Sequence, residues 1–290
     1  MKIKIICCVF VKIRFPYKVT VSHTMDPKYP GVADTIINMG DCWDTSRLFQ
    51  RKEEIITITS QNRSMHQRSK RYLSACGALY EDTIRVSQGS VDEKKVVNFA
   101  SNLGKRFFGG KHSSQGKEKV RLLSGITPEG LVYFEHTISS QCDNIYFIED
   151  EYDAVGNLLL TKLKDLALYS GVDVIGCYCP MDPLHKMDAL LIPSIDLSFV
   201  VTNSWHTLAS IKPYRTIHAR RFIDHSLLSN RRQRLSFNRK TQRILLNESI
   251  AYLAMAKTIH DQLETLYAEC MDYTKADDIY ERMITEILAR

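Results

Sequence analysis

The chain has 290 residues, of which 44% are hydrophobic and 25% are charged, and its formal net charge is +6. This is ordinary for a soluble globular protein and excludes a chain too small or too polar to bury a core, so we expect one large or two modest domains. No apolar run is long enough to span a bilayer, which excludes an integral helical membrane protein.

The first half of the chain has one strand pattern followed by helical patterns. The first 20 residues alternate basic and apolar side chains, which predicts a β-strand. Ile5–Val11 slightly resembles a secretion signal, but the run has only seven residues and no small-residue cleavage site follows it. We therefore predict an edge strand or a poorly specified leader. Apolar side chains at spacings of three and four then predict helices at residues 41–88 and 92–108.

A polar, glycine-rich stretch at residues 109–118 has the composition of a linker, and we place a domain boundary there. This divides the chain into a partial, mostly helical segment at residues 1–108 and a second unit at residues 119–290. Gly110–Lys117 resembles a phosphate-binding loop, but it is one residue too long, Glu118 stands in place of Ser or Thr, and no strand precedes it.

The second unit alternates strand and helix patterns. Thr127-Pro128-Glu129 predicts a helix start, with a hydroxyl N-cap followed by Pro and an acid. The remaining patterns are strands at residues 145–149, 172–178, 189–192 and 197–202, a helix from about 157 to before Gly171, and helix again from about 230. This order predicts an α/β fold with a mostly parallel sheet and flanking helices.

The segment between the strand at residues 144–149 and the next helix occupies the position of a phosphate-binding loop. A P-loop joins a strand to a helix N-terminus and holds phosphate with backbone amides, a Lys and a Ser or Thr. Here the segment carries four carboxylates instead, at Glu149, Asp150, Glu151 and Asp153. Carboxylates repel a triphosphate, so we expect this loop to lack the phosphate-binding function.

The two helical regions correspond when the sequence is shifted by 180 residues. Tyr72 then falls on Tyr252, and apolar positions agree over nearly forty residues. This predicts an internal duplication, although two amphipathic helices also resemble each other by chance at some register. On the duplication hypothesis, residues 118–290 are a whole unit and residues 1–108 are the back half of another. The front half of that first unit would be missing, as in a truncated gene product.

A set of short motifs occurs in order over roughly residues 20–290. The motifs are Asp26–Gly31, Lys52–Ile56, Ile126–Gly130, Tyr146–Ile148, Cys179–Pro183, Leu191–Pro193, His206, Ala256–Asp261 and Met271–Tyr273. As an ordered set they resemble an uncharacterised bacterial family of duplicated P-loop ATPase-like proteins known mainly from Firmicutes. The resemblance implies a P-loop NTPase-like fold, and it implies ATP and Mg²⁺ as the ligands of the family.

Members of that family carry a glycine-rich loop ending in Gly-Lys-Ser/Thr in each half. Aligned on the strand and the helix, every loop position that binds phosphate or metal in the family has a different residue here. The family's three glycines fall on Asp150, Asp153 and Val155, its Lys on Gly156, and its Mg²⁺-binding Ser or Thr on Asn157. No phosphate-binding role carries over to these positions.

The acid expected at the end of a Walker B strand is absent too. Phe199–Ser204 offers Thr or Asn at that position, and Asp196 lies at the other end of the strand. The resemblance therefore implies a P-loop NTPase-like α/β fold with a degenerate phosphate loop, plus long helical segments from a partial N-terminal repeat. We expect no catalytic residue, no metal site and no cofactor, and ATP with Mg²⁺ is implied only by the family.

Two further features leave alternatives open. Asp182 and Asp188 are predicted in the loop after the strand at residues 172–178, and His206 follows a later strand, all on the side where open α/β sheets bind ligands. They are candidates for a residual cleft, or else Asp182-Pro183 is a turn and His206 is a capping or a buried, hydrogen-bonded His. Lys212–Arg243 contains ten Lys or Arg and one acid, Asp224. This basic segment suits a nucleic acid or another polyanion, or it is a solvated face that offsets the acidic loop at residues 149–153.

Eight scattered cysteines without a C-x-x-C pair predict buried free thiols in a reducing cytoplasm rather than a zinc site. We therefore hypothesise a cytoplasmic, non-catalytic P-loop-like protein that acts by binding or through a partner chain. The alternatives are ATP binding through a non-standard site and polyanion binding through Lys212–Arg243. Residues 20–108 are the expected surface for pairing with another chain or for self-association.

Overall fold

The computed structural model describes the backbone of residues 10–14 and 18–22, and residues 38–109 and 114–288. Its helices are α1 (Thr45–Gln50), α2 (Lys52–Gln88), α3 (Glu93–Phe107), α4 (Glu135–Ser139), α5 (Gly156–Tyr169), α6 (His225–Ser229), α7 (Arg232–Glu269) and α8 (Tyr273–Leu288). Its strands are β1 (Phe10–Arg14), β2 (Lys18–Ser22), β3 (Glu118–Leu122), β4 (Ser124–Thr127), β5 (Gly130–Tyr133), β6 (Asn144–Glu149), β7 (Val174–Cys179), β8 (Asp182–Ile192), β9 (Leu197–Thr202) and β10 (Arg215–His218). Short 3-10 turns, Met39–Cys42 and Ala219–Phe222, precede α1 and α6.

A six-stranded sheet with the order β10-β6-β9-β8-β7-β3 forms the centre of the α/β fold. Five strands run in the same direction, and β8 runs against its neighbours β7 and β9. The predicted α/β class with a mostly parallel sheet and flanking helices is therefore confirmed. The predicted loop placement of Asp182 and Asp188 is wrong, because β8 is longer than expected and already begins at Asp182.

The predicted helix start at Thr127-Pro128-Glu129 is also wrong. These residues form the turn of the hairpin β4–β5, in which Thr127 pairs with Gly130. The Thr127 hydroxyl accepts a hydrogen bond from the Glu129 amide (3.2 Å), and Gly130 has a φ of 120°. A hydroxyl that accepts from an amide two residues later serves a turn as well as a helix N-cap, so the local signal was ambiguous.

Helices α5 and α3 cover one face of the sheet. Leu159, Leu160 and Leu163 on one side of α5 are fully buried in the same apolar cluster as Phe199 of β9. Their spacing of three and four places them on one stripe of the helix, as the sequence pattern predicted. Helix α3 packs on α5 so closely that a Cβ at Gly104 would lie 2.8 Å from a Leu166 methyl.

Contacts between Cα atoms divide the chain into two compact units. One is Met65–Ala254, which contains the six-stranded sheet, and the other comprises the described residues on either side of that range. The predicted boundary at residues 109–118 remains a prediction about domains, and residues 110–113 lie outside the described part of the chain. Within the described ranges, every helix is too short or too polar to cross a membrane.

Candidate functional site

The loop between β6 and α5 holds one of its own carboxylates at the N-terminus of the helix. Asp150 Oδ2 accepts hydrogen bonds from the backbone amides of Val155 and Gly156, each at 2.7 Å. Amides at a helix N-terminus attract an anion because they are unpaired within the helix and carry the positive end of its dipole. Asp150 therefore occupies the position where the corresponding amides of a P-loop would hold a phosphate oxygen.

Burial makes the charge of Asp150 costly. Its side chain is only 1% exposed. Desolvation, followed by repulsion from Asp153, raises the pKa of Asp150 to about 6, although the Gly156 and Val155 amides favour the ionised form. Its second oxygen, Oδ1, has no hydrogen-bond partner among the described residues. The N-terminus of α5 is therefore an anion site that the chain fills with its own Asp150 carboxylate, and this carboxylate can titrate.

Gly156 and Asn157 pack the loop against the neighbouring strands. A Cβ at Gly156 would lie 2.7 Å from Val201 Cγ2, so a larger residue cannot enter this position unless the Val201 side chain moves. The Asn157 amide group donates to His185 O (3.1 Å), and its oxygen accepts from the Met187 amide (3.0 Å). This side chain joins the start of α5 to β8, and both of its polar atoms are used.

We expect Gly156→Ala to destabilise the protein by about 1–3 kcal/mol, because the new methyl group overpacks the contact with Val201. Gly77→Ala is the matched control, since nothing lies within 4 Å of a Cβ there and alanine is the better helix former. Urea unfolding measures both. If adding Val201→Ala does not recover part of the stability lost in Gly156→Ala, the close approach to Val201 is not the cause of the destabilisation.

Asp153 is the second buried acid of the loop, and it belongs to a polar cluster around Lys186. Asp153 accepts hydrogen bonds from Tyr80 Oη (2.7 Å) and from Asn203 Nδ2 (3.0 and 3.1 Å), and it lies 3.3 Å from Lys186 Nζ. The Lys186 ammonium is also paired with Asp188. Lys186, Asp188 and Asp153 are each at most 3% exposed. We call these three residues with Tyr80 and Asn203 the Lys186 cluster.

The Lys186 cluster was not predicted from the sequence as a group. A signal existed, because Lys186 and Asp188 are two residues apart and therefore share one face of strand β8. Tyr80 is far away in sequence, and nothing in its local pattern connects it with the loop. Asn203 stands near the Walker B position of the resemblance, and its amide group holds Asp153 instead of a metal-binding acid.

The two remaining acids of the loop are exposed and paired with basic side chains. Glu149 pairs with His218, and Glu151 pairs with Arg239. Arg239 belongs to the basic segment Lys212–Arg243, so this segment partly offsets the acidic loop, as one alternative predicted. The two buried acids of the loop, Asp150 and Asp153, are the ones that accept hydrogen bonds from backbone amides or from side chains of the fold.

Other arginines of the basic segment also have partners within the chain. The Arg231 guanidinium donates to Val86 O (2.6 Å), and Arg234 forms a two-point pair with Asp82 (2.6 and 2.9 Å). Hydrogen bonds from Arg85, Asn238 and Arg234 hold the pKa of Asp82 well below its usual range. These interactions leave a smaller free basic surface than the sequence count implied.

The structure places Asp182 and His206 in different cavities. Asp182 is half-buried, pairs with His185 (2.9 Å), and lines an open groove of about 580 Å³ that Asn157 also lines. His206 is buried and lines a small cavity of about 30 Å³ together with Asp153. Tyr80 and Met181 line both spaces, and a residual cleft shared by Asp182 and His206 stays a prediction. A volume of about 30 Å³ has room for a water molecule and is far below that of a nucleotide site.

His206 is a buried histidine with one nitrogen unused. Its backbone amide donates to Asn203 Oδ1 (3.0 Å), whereas its Nδ1 has no partner within the described part of the chain. Burial lowers the pKa of His206, so the ring is neutral near pH 7. His206 is buried, as one alternative predicted, but the hydrogen bond that this alternative included is not found at Nδ1. A role in ligand binding stays a prediction.

No protein-family model matches the chain, and no curated protein or solved structure matches it either. Only the geometry of the loop and of its surroundings bears on the function. Six cysteines in the described ranges are buried and free, as the sequence predicted for them. Cys7 and Cys8 lie outside those ranges. One described group, His260, Asp261 and Glu264, has ligand atoms close together, but it lies on α7 and two of its members are exposed acids.

Proposed function

We propose that this protein is a P-loop-like protein that does not hydrolyse nucleotide by itself and acts by binding or through a partner chain. The observation that carries the proposal is the Asp150 carboxylate at the two amides of Val155 and Gly156. A phosphate at this position would have to displace Asp150 and would meet the buried charge of Asp153 at close range. The Asp150 carboxylate therefore neutralises the N-terminus of α5.

Three further positions support the absence of nucleotide chemistry. Gly156 has no space for a lysine side chain, Asn157 has both polar atoms bound to β8, and Asn203 offers an amide where a metal-binding acid would stand. A P-loop enzyme needs a cation for the terminal phosphates and an oxygen ligand for Mg²⁺. The Lys186 ammonium, which contacts Asp153 of this loop, is already paired with two carboxylates.

Calorimetry of the full chain with ATP and ADP, with and without Mg²⁺, tests the proposal. We expect no binding at nucleotide concentrations up to about 1 mM, because no free donor set faces a phosphate. Asp150→Gly removes the competing carboxylate, and we expect it to gain weak binding of inorganic phosphate at the freed amides. Asp165→Asn, on the exposed side of α5, is the control and should leave both results unchanged.

Micromolar nucleotide binding by the unmodified chain would overturn the proposal and favour a non-standard site. The open groove of about 580 Å³ lined by Asn157, Asp182 and His185 is the one specific observation that favours this alternative, because its volume suits a small ligand. His185→Ala would then weaken binding. The polyanion alternative is weaker, since Arg231, Arg234 and Arg239 are engaged within the chain.

We also propose that the chain contains an internal duplication. The described helical elements recur at an offset of 180 residues with nearly the same bounds. The corresponding pairs are α1 with α6, α2 with α7, α3 with α8, and the 3-10 turn Met39–Cys42 with Ala219–Phe222. Two pairs of corresponding residues lie in contact: Ser69 and Ser249 share a hydrogen bond (2.9 Å), and the rings of Tyr72 and Tyr252 stack. Chance similarity between amphipathic helices does not account for matched ends and matched contacts.

A further inference from the structure

The same backbone connection occurs once in each compact unit, at corresponding residues. In Met65–Ala254, the Asp92 amide donates to Phe222 O (2.8 Å). In the other unit, the Asp272 amide donates to Cys42 O (2.7 Å). Residues 92 and 272 differ by 180, as do residues 42 and 222. Each unit therefore has the same junction, in which the start of a helix is fixed to a 3-10 turn from elsewhere in the chain.

The helices that follow these junctions begin in the same way. Asp92 caps α3 by accepting from the Lys95 amide (3.1 Å), and Asp272 accepts from the Lys275 amide (3.3 Å) at the start of α8. An aspartate at the N-cap satisfies a free amide and favours the helix dipole. Helices α3 and α8 are therefore built alike at their first turn, and residues 180 apart occupy corresponding positions along the two helices.

The two apolar faces differ in what covers them. In α3, Val96, Ala100 and Leu103 are buried because α5 and the sheet pack on them. In α8, no side chain that the structure describes is buried. Tyr280, which corresponds to Ala100, is 59% exposed, and Leu288 is 80% exposed. Ala276, Met283 and Ile284, the counterparts of Val96, Leu103 and Gly104, are only partly buried. A row of apolar side chains left partly exposed in this way is typical of an interaction surface.

We propose that the apolar face of α8 binds a second α/β unit, built like residues 118–218 and presented by a partner through a helix equivalent to α5. This inference deepens the proposed function, because it names the class of partner through which the protein acts. The kind of partner follows from the counterpart of α8. In Met65–Ala254, α3 follows the same junction and packs against an α/β unit. We call Ala276, Tyr280, Met283, Ile284 and Leu288 of α8 the docking face.

The docking face is shaped for a related unit rather than for a second copy of this chain. Ile284 stands where Gly104 allows Leu166 of α5 to approach, and Tyr280 stands where α3 has Ala100. A helix with leucine opposite Ile284 would overlap with it, so the partner must carry a smaller residue there. In a second copy, moreover, the equivalent surface of α5 is already covered by its own α3.

Hydrogen exchange and sedimentation of the full chain test the first requirement, that the docking face is open in the monomer. We expect a monomer in which the amides of α8 exchange about 100-fold or more faster than those of α3, since exchange protection follows packing. A dimer that Met283→Asp dissociates would show that a second copy covers the face. Either that result or slow exchange of α8 in the monomer would overturn the proposal.

A fusion chain tests the second requirement, that an α/β unit fits the docking face. A copy of residues 114–218 is joined directly ahead of Met39, because Met39 corresponds to Ala219, the residue that follows this unit in the chain. The substitutions Tyr280→Ala and Ile284→Gly then give α8 the residues that α3 has at the corresponding positions. We expect exchange of α8 to slow to the level of α3, and Met283→Asp to abolish the slowing. Unchanged exchange of the α8 amides would count against the proposal, including when the added unit fails to fold. The α5 of the added unit has only α8 to pack on, so its folding depends on the docking face. Neither arm depends on nucleotide binding, so the proposed function can fail independently.

Discussion

Replacing Lys186 by methionine should lower the free energy of unfolding by about 3–5 kcal/mol, because it leaves two buried carboxylates without their cation. Lys186 is 2% exposed, lies 3.3 Å from Asp153, and is paired with Asp188. Methionine keeps most of the volume, so the loss reflects charge rather than a cavity. Equilibrium urea unfolding at pH 7 measures it.

Lys240→Met is the matched control, because Lys240 is exposed and its replacement should change stability by less than about 0.5 kcal/mol. Adding Asp188→Asn to Lys186→Met should recover part of the loss, since one of the two unpaired charges is then removed. A loss below about 1 kcal/mol in Lys186→Met would show that water reaches the cluster and that the buried pairing is not a main source of stability.

The charge of Lys186 itself should not titrate in the ordinary range. Burial opposes its charge, but Asp153 and Asp188 more than offset this and raise the pKa of Lys186 above its usual value of 10.5. A raised lysine pKa means that the stabilising contribution is complete below the unfolded pKa and is lost only as the pH rises through the folded pKa. Between pH 5 and pH 9 the charge of Lys186 should therefore contribute a constant stability.

Replacing Asp150 by asparagine should remove a pH dependence of stability of up to about 3 kcal/mol. The pKa of Asp150 is raised from 3.8 to about 6 in the folded chain, by desolvation first and then by Asp153. Between these values the folded state binds more protons than the unfolded state. The contribution of Asp150 to stability therefore falls as the pH rises from about 4 to about 6, and it is constant above and below.

The test compares unfolding free energies of the unmodified chain and of Asp150→Asn from pH 4 to pH 7. The difference between them should shift in favour of the variant as the pH rises, by up to about 3 kcal/mol over this range. Asp165→Asn, at an exposed position of the same helix, should give a difference that does not change with pH. A flat difference for Asp150→Asn as well would mean that Asp150 is solvated rather than held at the amides of α5.

Local pattern predicted the strands and the helix that build the site. The strand at residues 144–149, the strand at residues 197–202 and the helix after residue 157 all occur where the sequence placed them. These elements have apolar side chains at a clear period, and burial of one face is what fixes them. The acidic loop between β6 and α5 was also visible, because strand, loop and helix follow each other directly in the chain.

The sequence did not predict how each acid of that loop is used. Four carboxylates in a row suggested one repulsive surface, but the fold separates them into two kinds. Asp150 and Asp153 turn inward to amides and to Lys186, whereas Glu149 and Glu151 point outward to His218 and Arg239. Partners from distant elements decide between these directions, and no local rule contains them.

The antiparallel direction of β8 is a further case. An apolar run at residues 189–192 predicted a strand but gave no direction, and the polar residues before it suggested a loop. In the fold, the strand extends back to Asp182 because β7 is close enough to pair with it. This extension of β8 holds Lys186 at a position where its ammonium pairs with Asp153. A loop would not have held the side chain in one place.

The sequence by itself determined the α/β class, the position of the acidic loop before α5, and the 180-residue correspondence of apolar positions in the helical regions. All of these depend on residue type and spacing along the chain. Only the tertiary structure decided that Asp150 fills the anion position, that Lys186 is buried between two acids, and that α8 lacks the cover that α3 has. These depend on which distant surfaces meet, because burial and pairing are properties of contacts and not of the residues that make them.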